Sequence, residues 1–196
     1  VQGMCTYEDL VDATLAHGLM PYVVPQLKTI TLGGAVTGLG IESTSFRLGL
    51  PHESVLEMDV LTGAGEIVTA RPDGTGREQA LWRGFPNSYG SLGYAVRLRI
   101  ALEPVQRYVE LRHVRFDSLA ALEDGLARIG ESGSYDGEVV DFLDGGVFSA
   151  SPTSAWGGGP TSRGPSPTTP GCATSRPSTI ARSVTADRRG RWCATG

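Results

Sequence analysis

The sequence lacks several features that would place it in a specialised class of proteins. No apolar run approaches the ~18 residues of a membrane-spanning helix, and the start does not resemble a signal peptide. Its three cysteines, Cys5, Cys172 and Cys193, are too few and too far apart to suggest a disulfide framework or a zinc site. The net charge of −4 gives no indication of a nucleic-acid partner. We therefore expect a cytoplasmic protein, with peripheral membrane association as the alternative.

Composition changes abruptly near residue 150. Residues 1–150 carry a net charge of −9, whereas residues 151–196 carry +5 and contain 28 Pro, Gly, Ser or Thr but no Leu. Such a segment buries too little apolar surface to offset its ordering entropy. Two origins are open: a natural disordered tail, or a frameshifted translation of a GC-rich gene. The chain also begins at Val1 rather than at a methionine, so we expect it to be truncated upstream.

Local patterns divide the rest of the chain into helices and strands. Helices are predicted over 6–17, with Thr6 as its N-cap, and over 76–82. Residues 29–39 show no helical pattern. A turn is predicted at 62–65, strands are predicted at 54–61, 66–70 and 94–102, and residues 22–24 are predicted to be a short buried strand or an extended run.

Pro104 is the predicted boundary of a second unit. After it come a strand over 108–116, a helix over 119–129, a strand over 139–143 and a further strand from Val147. This β-α-β order is typical of the start of an α+β unit.

The stretch that carries chemistry runs from Thr29 to Leu50 and holds five glycines, at 33, 34, 38, 40 and 49. Glycine lets the backbone approach a flat ring or a pyrophosphate, and successive free N–H groups form anion-binding concavities. Gly38-Leu39-Gly40 could be mistaken for a dinucleotide fingerprint, but the strand–loop–helix context is missing. From the residues alone, cofactor binding and tight packing of strands are both open interpretations.

Several of these elements recur in a known order. Residues 25–34, which end in Thr31-Leu32-Gly33-Gly34, precede Gly38-x-Gly40-Ile41-Glu42-Ser43, and residues 57–68 and 90–94 follow. This order resembles the PCMH-type FAD-binding domain of the p-cresol methylhydroxylase and vanillyl-alcohol oxidase superfamily. The Gly-Ile-Glu-Ser element is similar to the delta(24)-sterol reductases and their bacterial relatives.

The resemblance implies an α+β fold in three parts. Residues 1–104 would form the second half of the FAD-binding domain, a mixed or antiparallel sheet with flanking helices. Residues 105–149 would begin a substrate cap, and residues 150–196 would be the disordered or out-of-frame tail. FAD is the implied cofactor, and no catalytic residue or metal ligand carries over. The implied cofactor-binding residues are Thr31, Gly33, Gly34, Gly38, Gly40, Ile41, Glu42, Ser43, Ile67 and Val68.

Each of four residues has two possible roles. Glu42 would hold a ribityl hydroxyl or backbone donors, or would be a solvated loop carboxylate. His52 would line the cofactor site or a solvent-facing turn. Tyr89 would approach the flavin or serve in packing, and Cys5 is expected to be a small packing or surface residue rather than a nucleophile.

The activity implied by the resemblance is that of an FAD-dependent oxidoreductase. It would reduce a C=C bond of a sterol-like or lipid substrate, with NADPH as the electron donor. One alternative keeps the fold and makes the protein an oxidase or dehydrogenase of an alcohol or sugar, because fold alone does not fix the reaction. Another is an inactive, truncated gene product. No protein partner is inferred.

Overall fold

The computed structural model describes residues 1–38, 40–106, 108–116 and 118–145, together with the backbone of 178–186 and 192–194. The chain divides into two compact units, Val1–Val105 and Gln106–Gly196. This division falls one residue beyond the boundary predicted at Pro104. None of the helices described has the length and hydropathy needed to cross a lipid bilayer.

A three-stranded antiparallel sheet forms the centre of the first unit. Strand β2 (Val55–Leu61) lies between β3 (Ile67–Ala70) and β4 (Tyr94–Ile100). The turn between β2 and β3 closes as predicted, with the Gly65 N–H donating to the Thr62 carbonyl at 2.9 Å. Alternation along β2 buries Met58 and Val60, because successive side chains point to opposite faces.

The amino-terminal residues extend this sheet alongside β4. The Val1 ammonium group donates to the Leu98 carbonyl at 2.9 Å, and the Gly3 N–H donates to the Val96 carbonyl at 3.0 Å. Residues 1–3 therefore occupy the edge of β4 that β2 leaves free.

Two predicted helices are confirmed. Helix α1 (Tyr7–Leu15) begins after Thr6, whose hydroxyl accepts the Asp9 N–H at 3.2 Å, and helix α4 covers Gly76–Gly84. The main core of the unit draws buried residues from these helices, the sheet and residues 32–36: Tyr7, Leu10, Leu32, Ala35, Val36, Val55, Met58, Val60, Ala70, Leu81, Phe85, Ala95 and Leu98.

Of the two predictions for 22–24, a short buried strand or an extended run, the strand is wrong. Strand β1 instead spans Leu19–Pro21, where it pairs antiparallel with β5 (Leu102–Pro104). The apolar run did mark burial, since Val23 is 2% exposed. A strand needs a hydrogen-bonding partner, and the partner lies about eighty residues away along the chain, where no local pattern reports it.

The region expected to lack helical structure contains a short helix, α2 (Leu32–Thr37). Thr31 caps it, and Leu32, Ala35 and Val36 are buried on the face that meets the core. Two glycines in the first turn lower its intrinsic helix propensity. Tertiary packing of the buried face overrides that cost. Helix α3 (Ser45–Leu48) and a 3₁₀ turn (Pro51–Ser54) follow before β2.

The second unit is an α+β arrangement. It contains β6 (Tyr108–Val114), α5 (Leu119–Ser132), β7 (Ser134–Tyr135), β8 (Glu138–Val139), β9 (Phe142–Asp144), β10 (Ser178–Ala186) and β11 (Trp192–Ala194). Strand β10 pairs antiparallel with β6, β9 and β11. The predicted helix and first strand are confirmed, and together with the mixed helix and antiparallel sheet of the first unit they give the expected α+β class.

The strand predicted over 139–143 is interrupted. Val140 is 1% exposed, and its N–H donates to the Gly133 carbonyl at 2.9 Å rather than to a neighbouring strand. This hydrogen bond to Gly133, the residue after α5, lies between β8 and β9 and separates them. The strand predicted from Val147 lies outside the described residues, as does most of the tail. Because β10 and β11 lie in that tail, the structure places strands where none were predicted, and the tail's origin stays a prediction.

An ion-pair network covers the outer face of the first sheet. The Asp59 carboxylate accepts the Arg97 Nε–H at 2.6 Å and the Thr69 hydroxyl at 2.8 Å, and Arg97 also contacts Glu57 at 3.1 Å. The hydrogen bond from Arg97 holds the pKa of Asp59 below its ordinary value of 3.8.

This network predicts a pH dependence of stability. A carboxylate whose pKa is lower in the folded state stabilises the protein above its unfolded pKa, and that stabilisation is lost as pH falls through the folded pKa. Asp59→Asn should therefore flatten the fall in unfolding free energy as the pH drops below the ordinary carboxyl pKa of about 4, measured by urea denaturation. Asp73→Asn, at an exposed carboxylate, is the matched control. Equal slopes for both variants and the wild type would contradict the assignment.

Candidate functional site

The first unit contains a cavity of about 500 Å³, here called the glycine cavity. Four parts of the chain line it: residues 2–4, four residues between Thr31 and Thr37, Leu61 on β2, and six residues between Tyr89 and Val96. Small-molecule sites typically have volumes of roughly 300–1,000 Å³ with mostly apolar and aromatic linings. The glycine cavity meets both conditions, since Tyr89, Tyr94 and Met4 contribute exposed apolar surface at 75%, 72% and 77%.

One wall of the cavity depends on contacts between backbones. Residue 3 lies between β4 and the first turn of α2. A side-chain carbon at Gly3 would overlap the Ala95 carbonyl oxygen, and one at Gly33 would come within 2.9 Å of the Gly3 carbonyl oxygen. Glycine is thus required at both positions for the three segments to approach, because any Cβ would push them apart.

The amide groups of this wall are already used. The Gly33 N–H donates to the Gly3 carbonyl at 2.8 Å, and the Gly34 N–H donates to the Thr31 hydroxyl at 3.2 Å. The expectation of free N–H groups forming an anion-binding concavity is therefore wrong for these two residues. Both glycines therefore allow close packing of the backbone, as the packing interpretation predicts. They also line the cavity without a side chain.

The structure separates the ten predicted cofactor residues. Thr31, Gly33 and Gly34 line the glycine cavity. Gly38, Gly40, Ile41, Glu42 and Ser43 do not; they form the end of α2 and the loop that follows it. Ile67 and Val68 lie on β3, also outside the lining, with Ile67 62% exposed and Val68 packed against the core.

Glu42 stabilises its loop by accepting backbone donors. Its carboxylate accepts the Gln26 N–H at 3.1 Å, and its own N–H donates to the Ser45 hydroxyl at 2.9 Å. The buried Thr44 hydroxyl donates to the Tyr22 carbonyl at 2.7 Å, which ties the same two segments together. This geometry matches the backbone-donor interpretation of Glu42.

The charge of Glu42 also acts on the core. Tyr7 is 1% exposed, and its burial raises the pKa of the phenol far above the ordinary range, with a further increase from the Glu42 carboxylate. Tyr7 is therefore a neutral phenol at physiological pH.

His52 lines a second, smaller cavity of about 190 Å³ together with Glu53, Trp82 and Val36. It is not part of the glycine cavity. Cys5 is half-buried, and its thiol donates to the Thr6 carbonyl at 3.4 Å, in keeping with a packing role. Within the residues that the structure describes, no group of three His, Cys, Asp or Glu side chains could hold a metal ion.

Sequence reasoning missed most of the cavity lining. Residues 2–4, Leu61 and Tyr94 were not singled out, although Gly3, Gly90 and Gly93 carried the same glycine signal as the predicted loop. Only the folded structure brings these residues together, because they lie far apart in the sequence.

Comparison with known proteins points to a cofactor for this unit. Residues 1–71 match the FAD binding domain family. That segment contains three of the four parts of the cavity lining, so the prediction of an FAD-binding domain is confirmed for it. The volume of the cavity, its apolar lining and its glycine wall fit one flat ring system of such a cofactor.

Relatives with two different names match the chain. Cytokinin dehydrogenase 6 of Oryza sativa subsp. japonica is 34% identical over 142 residues, which cover 72% of this chain and 26% of the relative. Cytokinin dehydrogenase 2 of the same plant is 30% identical over 144 residues, covering 71% and 25%. The delta(24)-sterol reductase homolog dhcr-24 of Caenorhabditis elegans is 28% identical over 149 residues, covering 73% and 28%. The chain thus spans about a quarter of the length of these relatives.

Close packing at the glycines that line the cavity leads to a prediction about stability. Gly93 has φ +130°, and a Cβ there would overlap the Leu61 carbonyl oxygen. Gly93→Ala should lower the free energy of unfolding by about 3 kcal/mol or more, from backbone strain and overpacking together. Gly63→Ala is the control, because no atom lies near its added methyl group. Denaturant midpoints of the two variants measure the difference, and similar midpoints would refute the packing role of Gly93.

Proposed function

We propose that this chain is the FAD-binding part of an oxidoreductase, and that the glycine cavity receives a ring system of the cofactor. The match of residues 1–71 to the FAD binding domain family carries the proposal. The apolar lining of the cavity, with two exposed tyrosines, supports it. When bound, the flavin supplies hydride transfer, and the protein's part is to bind and orient its ring and to exclude water.

The residues of this chain would contribute in two ways. Gly33 and Gly34 form a wall without side chains on which a flat ring can lie, and Thr31 lines the same cavity. Glu42 and Thr44 would act indirectly, by fixing the loop after α2 to residues 22–26. The other predicted binding residues, Ile67 and Val68 among them, stay proposals that rest on the family resemblance.

A prediction about charge tests the location of the cofactor. Met4 lines the cavity and is 77% exposed, so its side chain can change without disturbing the core. Met4→Glu should weaken FAD binding by about tenfold, because an apolar ring seated in the cavity would desolvate the new carboxylate. Met4→Gln, of the same shape, should bind FAD within about twofold of the wild type.

Isothermal titration of the 196-residue chain with FAD measures both variants. Flavin absorption bands near ~370 and ~450 nm that stay with the protein through gel filtration provide a second readout. Equal weakening by Glu and Gln would mean that shape, not charge, matters at Met4. A wild-type chain that takes up no FAD would refute the proposal and favour the inactive gene product.

We further propose that the reaction is reduction of a C=C bond in a sterol-like or lipid substrate, with NADPH as the electron donor. The similarity to the sterol reductase homolog supports this direction. The alternative is a dehydrogenase of another small molecule, and the similarity to the cytokinin dehydrogenases favours it. Since both share the cofactor domain, the cavity does not separate them.

Steady-state turnover distinguishes the two reactions. NADPH consumption that depends on an unsaturated sterol is expected for the reductase, followed at 340 nm by the loss of the reduced nicotinamide band. Reduction of an artificial electron acceptor by a cytokinin or an alcohol, with no NADPH consumption, would contradict the reductase and support the dehydrogenase. The assay needs the whole protein, because this chain spans about a quarter of its relatives.

A further inference from the structure

Tyr89 occupies an unusual backbone conformation at the mouth of the glycine cavity. Its φ is +52°, in the left-handed region that bulky residues rarely adopt. The side chain lines the cavity and is 75% exposed. Residues held in this region cost of order 1–3 kcal/mol, and such strain gathers at ligand sites.

The fold needs this backbone conformation but not this side chain. The Tyr89 N–H donates to the Thr37 carbonyl at 2.8 Å, and the Asn87 N–H donates to the Val36 carbonyl at 3.3 Å. These bonds satisfy carbonyl groups at the end of α2 and fix the turn 87–93 beside the cavity. Asparagine or glycine would make the same backbone contacts with less strain.

Packing does not account for the tyrosine either. A ring that stays three-quarters exposed gains little from burial, so the backbone strain is not offset within the unit. The neighbouring Ser88 also carries an unfavourable feature: its hydroxyl oxygen is buried without a hydrogen-bond partner among the described residues. Both features lie in the turn that borders the cavity, and contact of the Tyr89 ring with a bound molecule would offset the strain at that residue.

We infer that Tyr89 is a ligand-binding residue whose ring stacks on a flat heteroaromatic ring seated in the glycine cavity. The inference rests on the proposed function and extends it to a residue outside the predicted cofactor set. Tyr94, 72% exposed on the same lining, gives the site a second ring. Aromatic stacking suits such a ligand because the apolar faces come together while the polar edges keep their hydrogen bonds. FAD offers two such rings, the flavin and the adenine.

Two variants separate the ring from the backbone. Tyr89→Phe keeps the ring, and Tyr89→Asn removes it while tolerating positive φ. In titrations of the full 196-residue chain with FAD, Tyr89→Phe should bind within about twofold of the wild type, and Tyr89→Asn should bind about tenfold more weakly. The thermal midpoint of Tyr89→Asn should equal or exceed that of the wild type. Weak binding without loss of stability is an effect that a merely structural residue would not give.

Leu119→Asn is the matched control, since it removes an exposed apolar side chain at the start of α5, outside the cavity lining. Riboflavin and ADP, titrated separately, identify the ring that Tyr89 contacts. A selective loss of riboflavin binding in Tyr89→Asn assigns the flavin, and a selective loss of ADP binding assigns the adenine.

Two failures are distinguishable. A wild-type chain that binds FAD while Tyr89→Asn binds it equally well overturns the stacking role and leaves the proposed function intact. A wild-type chain that binds none of the three probes refutes the proposed function itself, and the stacking role with it.

Discussion

The close approach of three backbones in the first unit is the constraint on which the rest of that unit depends. Gly3 donates to the Val96 carbonyl on one side and accepts the Gly33 N–H on the other, so the amino-terminal segment joins β4 to α2. No side chain takes part in these contacts, and none would fit at Gly3 or Gly33. Because α2 is held against the sheet in this way, its first turn becomes one wall of the cavity. The turn 87–93, hydrogen-bonded to the other end of α2, becomes the opposite rim.

The glycine-rich stretch thus serves two purposes in two places. Its first part, at Thr31 to Gly34, packs against the amino-terminal segment and faces the cavity. Its second part, from Gly40 onward, is fixed to residues 22–26 through Glu42 and Thr44. The two interpretations that the residues left open, cofactor binding and tight packing, are therefore not exclusive. At Gly3 and Gly33 the missing Cβ would point into a neighbouring backbone, so close packing requires glycine at residues that also line the cavity.

Some of the fold could be predicted because its signals are local. The alternation along β2, the tight turn before β3 and the Thr6 cap of α1 each depend on residues within a few positions of one another. The position of β1 could not be predicted, because Leu19–Pro21 forms a strand only through Leu102–Pro104. Helix α2 was missed for a related reason. Its glycines disfavour a helix, and only burial of Leu32 and Val36 in the core makes one stable.

By itself, the sequence determined the α+β class, the strand alternation and the resemblance to an FAD-binding domain, because periodicity, caps and ordered motifs are properties of neighbouring residues. Only the tertiary structure decided which of the candidate residues share a site. Thr31, Gly33 and Gly34 meet Tyr89 and Tyr94 across the cavity, while Glu42 and Ile67 lie elsewhere. The reason is that a cavity lies between secondary-structure elements. Its lining is fixed by long-range backbone contacts, such as Gly33 on Gly3, which no window of the sequence contains.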